Sequence, residues 1–313
     1  FIDRLGCDRK PEGLYAPVDY ALSMGGKRIR PMLCLAAAYA FAPERWHEAL
    51  PAAAALEIFH NFTLLHDDLM DRSPLRRGQE TVYRKWDDNT AILSGDAMNI
   101  LAYMLLSRAP QNKLSALLER FNEGALRVCK GQQWDMEFET AEYVSEEEYL
   151  RMIEDKTAAL LEMSVRLGAC LGSASPEFED TLAQFAREVG IAFQLQDDYL
   201  DVYGTTAEFG KECGDDIVTN KHTYLSVLLQ KCATEKQRER YQTYKKLGAE
   251  QRNEKMEKVM QLYDEVDVKS ACESAIDQHL ASAEALLLAC EQKIGRICPA
   301  LRGIFSSLSG RRF

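Results

Sequence analysis

Apolar residues recur at helical spacing along almost the whole chain, and this pattern most narrows what it can fold into. Pro31 and Pro43 bracket the apolar segment Met32–Ala42. Pro51 suits the first turn of a long helix running to about Asp71. Further helices are predicted over Asn89 to Arg108 and from about Lys113 to Cys129 or beyond. Ser145 with Glu148 reads as a capping box opening a helix toward Cys170, and Thr234 with Gln237 reads as another. Ser175-Pro176 starts a helix that extends to Tyr203. A long helix follows over Val268 to Cys290, with a shorter one near Ile297–Leu308. No period-2 strand, hairpin signal or internal repeat stands out. The expectation is all-α: one domain over residues 1–313, of roughly ten or more helices. The least ordered stretches are expected at Ser73–Asp88, Tyr203–Thr219 and after Ser306.

With 18 Gly and 9 Pro in 313 residues, the chain is too poor in turn formers for an all-β fold. Its 38 basic and 49 acidic residues give a net charge of −11, which disfavours a nucleic-acid partner. The longest apolar run, Met32–Ala42, falls short of the ~20 residues a membrane span needs. Nine cysteines, odd in number and without a CxxC pair, read as reduced, packed thiols of a cytoplasmic protein.

The chemistry is concentrated in two acidic clusters. Asp67-Asp68-Leu69-Met70-Asp71 closes the helix that begins near Pro51. Asp67 and Asp71 share a helix face, and like charges at that spacing destabilise a bare helix. A hard cation would neutralise them. Magnesium bridges one or two carboxylates to substrate phosphates. Asp197-Asp198-Tyr199-Leu200-Asp201 repeats the spacing 130 positions later, again next to an apolar segment. Two such clusters are expected as opposed walls of one cavity that clamps a diphosphate through metal ions. Cations accompany them: Gly25-Gly26-Lys27-Arg28-Ile29-Arg30-Pro31 before the first cluster, Arg76-Arg77-Gly78 after it, and Lys211 and Lys221 after the second. Guanidinium forks suit phosphate oxygens, and glycines let backbone approach them closely.

Taken in order with His60, Gly95-Asp96, Gly131-Gln132, Lys156-Thr157, Phe193-Gln194, Gly210-Lys211 and Asn220-Lys221, these motifs resemble the trans-isoprenyl diphosphate synthases, or polyprenyl synthetases. The resemblance runs from Tyr15 to about Tyr224. It implies an all-α bundle around a deep central cavity, and a homodimer. It implies head-to-tail (1'-4) condensation of isopentenyl diphosphate with dimethylallyl, geranyl or farnesyl diphosphate, giving a short all-trans product. Asp67, Asp71 and Asp197, with Asp201 less directly, would hold a cluster of three Mg2+ ions. Asp68 and Asp198 are expected to stand behind these ligands. Arg76, Lys156, Lys211 and Lys221 would neutralise the allylic diphosphate. Lys27, Arg30, His60 and Arg77 would hold isopentenyl diphosphate. Backbone carbonyls near Lys156-Thr157 and the side-chain oxygen of Gln194 would face the allylic cation.

The resemblance also places the floor of the tail pocket at Phe62 and Thr63. An aromatic there resembles C20 synthases most, and C15 synthases next. Glu80-Thr81-Val82-Tyr83 departs from the family's usual Pro-Thr-Val-His without removing an obvious ligand. The competing readings are a class I terpene cyclase and a non-catalytic subunit of a heteromeric synthase. The second DDxxD and the second set of cations weigh against the former, and the two intact clusters against the latter.

Overall fold

The structure, a computed structural model, describes residues 10–204 and 214–310. Their regular structure is helical apart from one two-stranded ribbon of two residues per strand, Leu75–Arg76 paired antiparallel with Gln79–Glu80. The described residues cluster into two compact units. One comprises 10–123, 163–180 and 298–304; the other comprises 124–162, 181–204, 214–297 and 305–310.

In the first unit the helix Leu50–Met70 packs against Asp88–Leu106, with Glu12–Ser23 and Ile29–Phe41 beside them. Pro51 occupies its first turn, where the missing N–H costs nothing. Small residues on its buried face, Ala52, Ala53 and Ala55, let neighbouring backbones come close, and Leu56, Ile58 and Phe59 fill the core. In the second unit a core built on Tyr149, Ile153, Leu195, Tyr199, Leu225, Leu229, Leu262 and Tyr263 joins the helices Glu146–Ile153, Pro176–Tyr203, Tyr224–Cys232, Arg252–Glu265 and Val268–Ile294.

Both capping boxes form: Ser145 accepts from Glu148 N–H while Glu148 reaches back, and Thr234 does the same with Gln237. Each cap is worth about 1 kcal/mol of helix stability. A third box, Thr223 with Ser226, opens Tyr224–Cys232.

Several expectations need correction. The segment 73–88 is not irregular. The ribbon turns at Arg77 and Gly78, with φ of 53° and 77°, followed by the short helix Val82–Lys85. Two successive residues at positive φ make a tight hairpin turn, and Gly78 supplies one of them without strain. The helix Pro299–Ser309 continues past Ser306. Asp215–Thr219 is helical, whereas 205–213, with Lys211, lie outside the described residues. The helix after Ser145 is not uniform. It ends at Ile153 and resumes at Ala159, and between them Glu154–Ala158 forms one π-turn, closed by Ala159 N–H donating to the Glu154 carbonyl.

Candidate active site

The first acidic cluster sits on the last turn of Leu50–Met70, with Asp71 as the C-cap. Its three carboxylates are not equivalent. Asp68 is buried and takes both Arg76 Nε (2.8 and 2.9 Å) and Arg76 Nη2 (2.7 Å). Burial lifts the Asp68 carboxyl above its usual value despite that arginine. Asp67 is partly buried and Asp71 is exposed, one turn apart on the face Asp68 leaves. Arg76 thus commits Nε and one N–H of Nη2 to Asp68, with the Nη1 hydrogens outside that pair.

Two turns before Asp67, about 10 Å along the helix, His60 begins a cationic group. Arg30 Nη1 lies 3.0 Å from His60 Nε2. A guanidinium only donates, so Nε2 accepts and the imidazole is neutral with its proton on Nδ1. Burial and the charges of Arg30, Arg77, Arg76 and Arg28 all push His60 well below its usual pKa. Arg28 is balanced by Glu57, which also takes Asn61 Nδ2 at 2.9 Å. Arg77 donates to the Gly25 carbonyl, and its guanidinium lies so close to Gly26 that a Cβ there would meet Nη2 at 2.9 Å. Among the described residues neither Arg30 nor Arg77 has a carboxylate partner, and Arg30 Nε is buried without a hydrogen bond. Burial pulls Arg30 down to about 10, with Arg77 adding to the effect against Glu57. Two guanidiniums beside a neutral histidine present the donors that phosphate and carboxylate oxygens accept from. Lys27 stands exposed in the turn just before Arg28.

Phe62 and Thr63 lie between His60 and Asp67 on the same helix. Phe62 belongs to an aromatic row, its ring 5.4 Å from Phe59 and 4.8 Å from His66, and Phe59 continues the row to Phe121 at 5.1 Å. Thr63 Oγ1 donates to the His60 carbonyl at 2.8 Å, so its hydroxyl is folded back on the helix.

In the second unit Asp198 is enclosed. It accepts from the Tyr149 hydroxyl, from Tyr224 N–H at 2.8 Å and from Gln194 Nε2 at 3.2 Å. Burial, with the Asp216 charge, raises it to about 7. Asp197 is partly buried. Asp201 is fully buried, and its Oδ2 takes Asp216 N–H at 3.1 Å. Gln194 Oε1 accepts from Thr157 Oγ1 at 3.0 Å. Lys156, next to it in the π-turn, donates to Asp135 Oδ2 at 2.6 Å. Burial alone would raise Asp135, but Lys156 and Lys221 together hold it below its usual value. The same carboxylate therefore gathers two of the expected cations. Gly131 permits the π-turn to lie against the helix Leu114–Phe138, because a Cβ there would stand 2.1 Å from Lys156 N.

Sequence reasoning passed over Glu57, Asn61, Asp135, Tyr149, Asp216 and Tyr224. Glu57 had a signal, lying one turn before His60 on its face. Asp135 had one too, one turn after Gly131. Tyr149, Asp216 and Tyr224 reach Asp198 only through tertiary packing and had none.

Asp67 and Asp71 in the first unit, and Asp197 in the second with Asp201 one turn beyond it, each offer carboxylate oxygens, the donor type that Mg2+ takes. Among the described residues no group of three or more His, Cys, Asp or Glu side chains is arranged to hold a metal ion. Among the described residues no helix is long and apolar enough to cross a membrane.

Residues 11–266 match the family model described as polyprenyl synthetase. The chain is 40% identical over 228 residues to a geranylgeranyl diphosphate synthase of Methanosarcina mazei, covering 72% of this chain and 70% of that protein. A crystal structure of a geranylgeranyl pyrophosphate synthase superposes with a TM-score of 0.89 at 38% identity, covering 100% of this chain and 96% of that one. A geranylgeranyl pyrophosphate synthase of Corynebacterium glutamicum, solved with isoprenyl diphosphate and magnesium, superposes with a TM-score of 0.81 at 26% identity, covering 96% and 90%. With the motifs in order and the match spanning most of its length, the chain belongs to the polyprenyl synthetase family.

Proposed function

We propose that this prenyltransferase joins isopentenyl diphosphate head-to-tail to an allylic diphosphate, releasing diphosphate and a short all-trans prenyl diphosphate, C20 before C15. The observation that carries this reading is the pair Arg30 and Arg77 beside neutral His60, cationic and, among the described residues, without an ion-paired carboxylate, in a chain of net charge −11. Two guanidiniums held together without an ion-pair partner suit an anion that accepts from both.

In this reading Lys27, Arg30, His60 and Arg77 hold the diphosphate of isopentenyl diphosphate. Asp67, Asp71 and Asp197, with Asp201 in a lesser role, hold Mg2+ against the allylic diphosphate. Arg76 Nη1, Lys156, Lys211 and Lys221 add charge to that diphosphate. Bound magnesium stabilises the charge that develops on the leaving group. As the allylic C–O bond breaks, its electron pair departs with diphosphate. The Thr157 segment and Gln194 Oε1 turn the negative ends of their dipoles toward the cation left behind. The double bond of isopentenyl diphosphate, held in register, attacks that carbon. The attack leaves a tertiary cation at C3 of the isopentenyl unit; its C2–H bond then supplies the electrons of the new double bond, and the released diphosphate takes the proton, since among the described residues no side chain is placed as a dedicated base. Apolar helix faces keep water from quenching the cation.

A single polyprenyl synthetase domain over 1–313 is part of the proposal, as is a homodimer in the cytoplasm. In support of a second copy, Leu93, Ile100 and Met104 form a stripe on the helix Asp88–Leu106, with Leu93 60% and Ile100 62% exposed. Incubation with isopentenyl diphosphate, Mg2+ and each allylic primer in turn, followed by sizing of the prenyl product, tests the reaction. Release of a hydrocarbon from an allylic diphosphate alone would instead identify a cyclase.

A further inference from the structure

Asp198 shares its cluster with the proposed metal ligands, yet every hydrogen bond it makes runs inward. Oδ2 takes the Tyr149 hydroxyl and Tyr224 N–H, and Oδ1 takes Gln194 Nε2. Gln194 lies four residues earlier on the same helix, which puts the two side chains on one face. Gln194 Nε2 donates to Asp198 Oδ1, so Gln194 shows Asp198 the NH2 end of its amide. The oxygen end is then forced to the opposite side, where it meets Thr157 Oγ1 at 3.0 Å. The threonine hydroxyl can donate or accept, so Thr157 tolerates either orientation and selects neither. Asp198 alone decides which end of the Gln194 dipole points at Thr157.

We propose that Asp198, held by Tyr149, is a positioning residue that locks the Gln194 amide with its oxygen toward Thr157, and so sets the sign of the dipole that meets the allylic cation. This rests on the reading above that Gln194 faces that cation. The DDxxD motif then carries two tasks in neighbouring residues. Asp197 serves the metal, while Asp198 orients the group that serves the carbon centre.

Asp198→Asn tests the lock. Two donors, Tyr149 and Tyr224 N–H, converge at the Oδ2 position, so the asparagine oxygen settles there and its NH2 faces Gln194. Gln194 must then rotate to offer its oxygen, which turns its NH2 toward Thr157 and reverses the dipole. The expected result is a fall in kcat of about 10²-fold, the scale of one misplaced transition-state dipole. KM for both diphosphates and the Mg2+ concentration for half-maximal rate should stay near wild type. Adding Gln194→Glu to Asp198→Asn supplies an acceptor toward Asn and an oxygen toward Thr157 at unchanged total charge. That double variant should recover kcat to within about tenfold of wild type, a strongly non-additive outcome. Tyr149→Phe, which removes one support of Asp198 without altering any carboxylate, should lower kcat in the same direction by a smaller factor, and it decides the matter if Asp198→Asn does not fold.

Gln194→Ala separates the two levels. If it leaves kcat unchanged, the reading of Gln194 itself is wrong. If it slows the reaction while Asp198→Asn and Tyr149→Phe do not, the positioning role is wrong and the reading of Gln194 stands. A raised Mg2+ requirement in Asp198→Asn, or no recovery in the double variant, would also overturn the proposal.

Discussion

Gly131→Ala is the most direct probe of how the π-turn is held. At an exposed helix position this change would stabilise the chain by up to about 1 kcal/mol, because alanine is the better helix former. Here the added Cβ would stand 2.1 Å from Lys156 N, 2.5 Å from Lys156 Cα and 2.6 Å from the Asp155 carbonyl carbon. Ordinary contact begins near 3.4 Å, so one backbone must retreat by about 1.3 Å. Both partners are main chain, and no side chain can swing aside. The part that gives is the segment Glu154–Ala158, whose π hydrogen bond already departs from helical geometry. Lys156 and Thr157 would move with it, and Thr157 would draw away from Gln194. Overpacking of this kind costs about 1–3 kcal/mol of stability. A displacement near 1 Å at the reacting centre costs about 10² in rate. The expected variant is folded, with a modestly lower thermal midpoint, kcat down by about two orders of magnitude, and more allylic alcohol among its products as water reaches the cation. Steady-state kinetics with product analysis by mass spectrometry reads all three. A variant within about threefold of wild-type kcat, with an unchanged alcohol fraction, would refute the claim that Gly131 positions this segment.

Asp67→Ala and Asp197→Ala should each lower turnover by at least about 10²-fold while circular dichroism stays native; near wild-type rates in both would remove the metal assignment. Phe62→Ala should lengthen the product, since the ring lies on the helix between His60 and Asp67 in a row with Phe59 and His66; chromatography showing an unchanged chain length would take Phe62 out of the pocket floor. His60 gives a pH signature. Its folded pKa is depressed by burial and four arginines, so above the unfolded value of 6.5 both states are neutral and stability is insensitive to it. As pH falls below 6.5 the unfolded chain gains a proton that the folded chain refuses, which costs stability, up to about 1.4 kcal/mol by pH 5.5. Urea midpoints at pH 7.5 and 5.5 should therefore differ less in His60→Gln than in wild type, and an equal difference in the two proteins would count against a buried neutral histidine.

The helices were legible because their signals are local. Pro51, the Ser145–Glu148 and Thr234–Gln237 boxes and the apolar faces act within a few residues, so sequence spacing alone carries them. The acidic clusters were legible for the same reason, since Asp67 and Asp71, or Asp197 and Asp201, share a face by helical geometry. What escaped depends on partners brought in by the fold. The π-turn needs a glycine twenty-five positions upstream. The ribbon needs Arg77 to accept a positive φ that no Asn-Gly pair advertises. Arg76 and Arg77 are adjacent and chemically alike, yet one is bound to Asp68 and the other lies under Gly26. Their different fates follow from the ribbon, since successive residues at a tight turn point their side chains apart.

The two acidic clusters show how far a repeated motif can be trusted. In each DDxxD the middle aspartate is buried and bonded inward, Asp68 to Arg76 and Asp198 to Tyr149 and Gln194. Helical geometry requires this much. With the first and fifth residues on one face, the second lies about 100° away and must find a partner in the protein. It does not specify the partner. Arg76 carries a full charge, so Asp68 is held by an ion pair whose loss would strand a buried cation. Tyr149, Tyr224 N–H and Gln194 are neutral, and with Asp216 near by, Asp198 rises to about 7 while Asp68 stays closer to its usual range. Identical motifs thus differ in the residue least visible in the motif. Exchange of Asp68 for Asn should free Arg76 to bind anions more tightly, while the same exchange at Asp198 reorients an amide. Measured side by side, the first should show in KM for the diphosphate substrates and the second in kcat; the same split in both variants would mean that the middle aspartates are interchangeable after all.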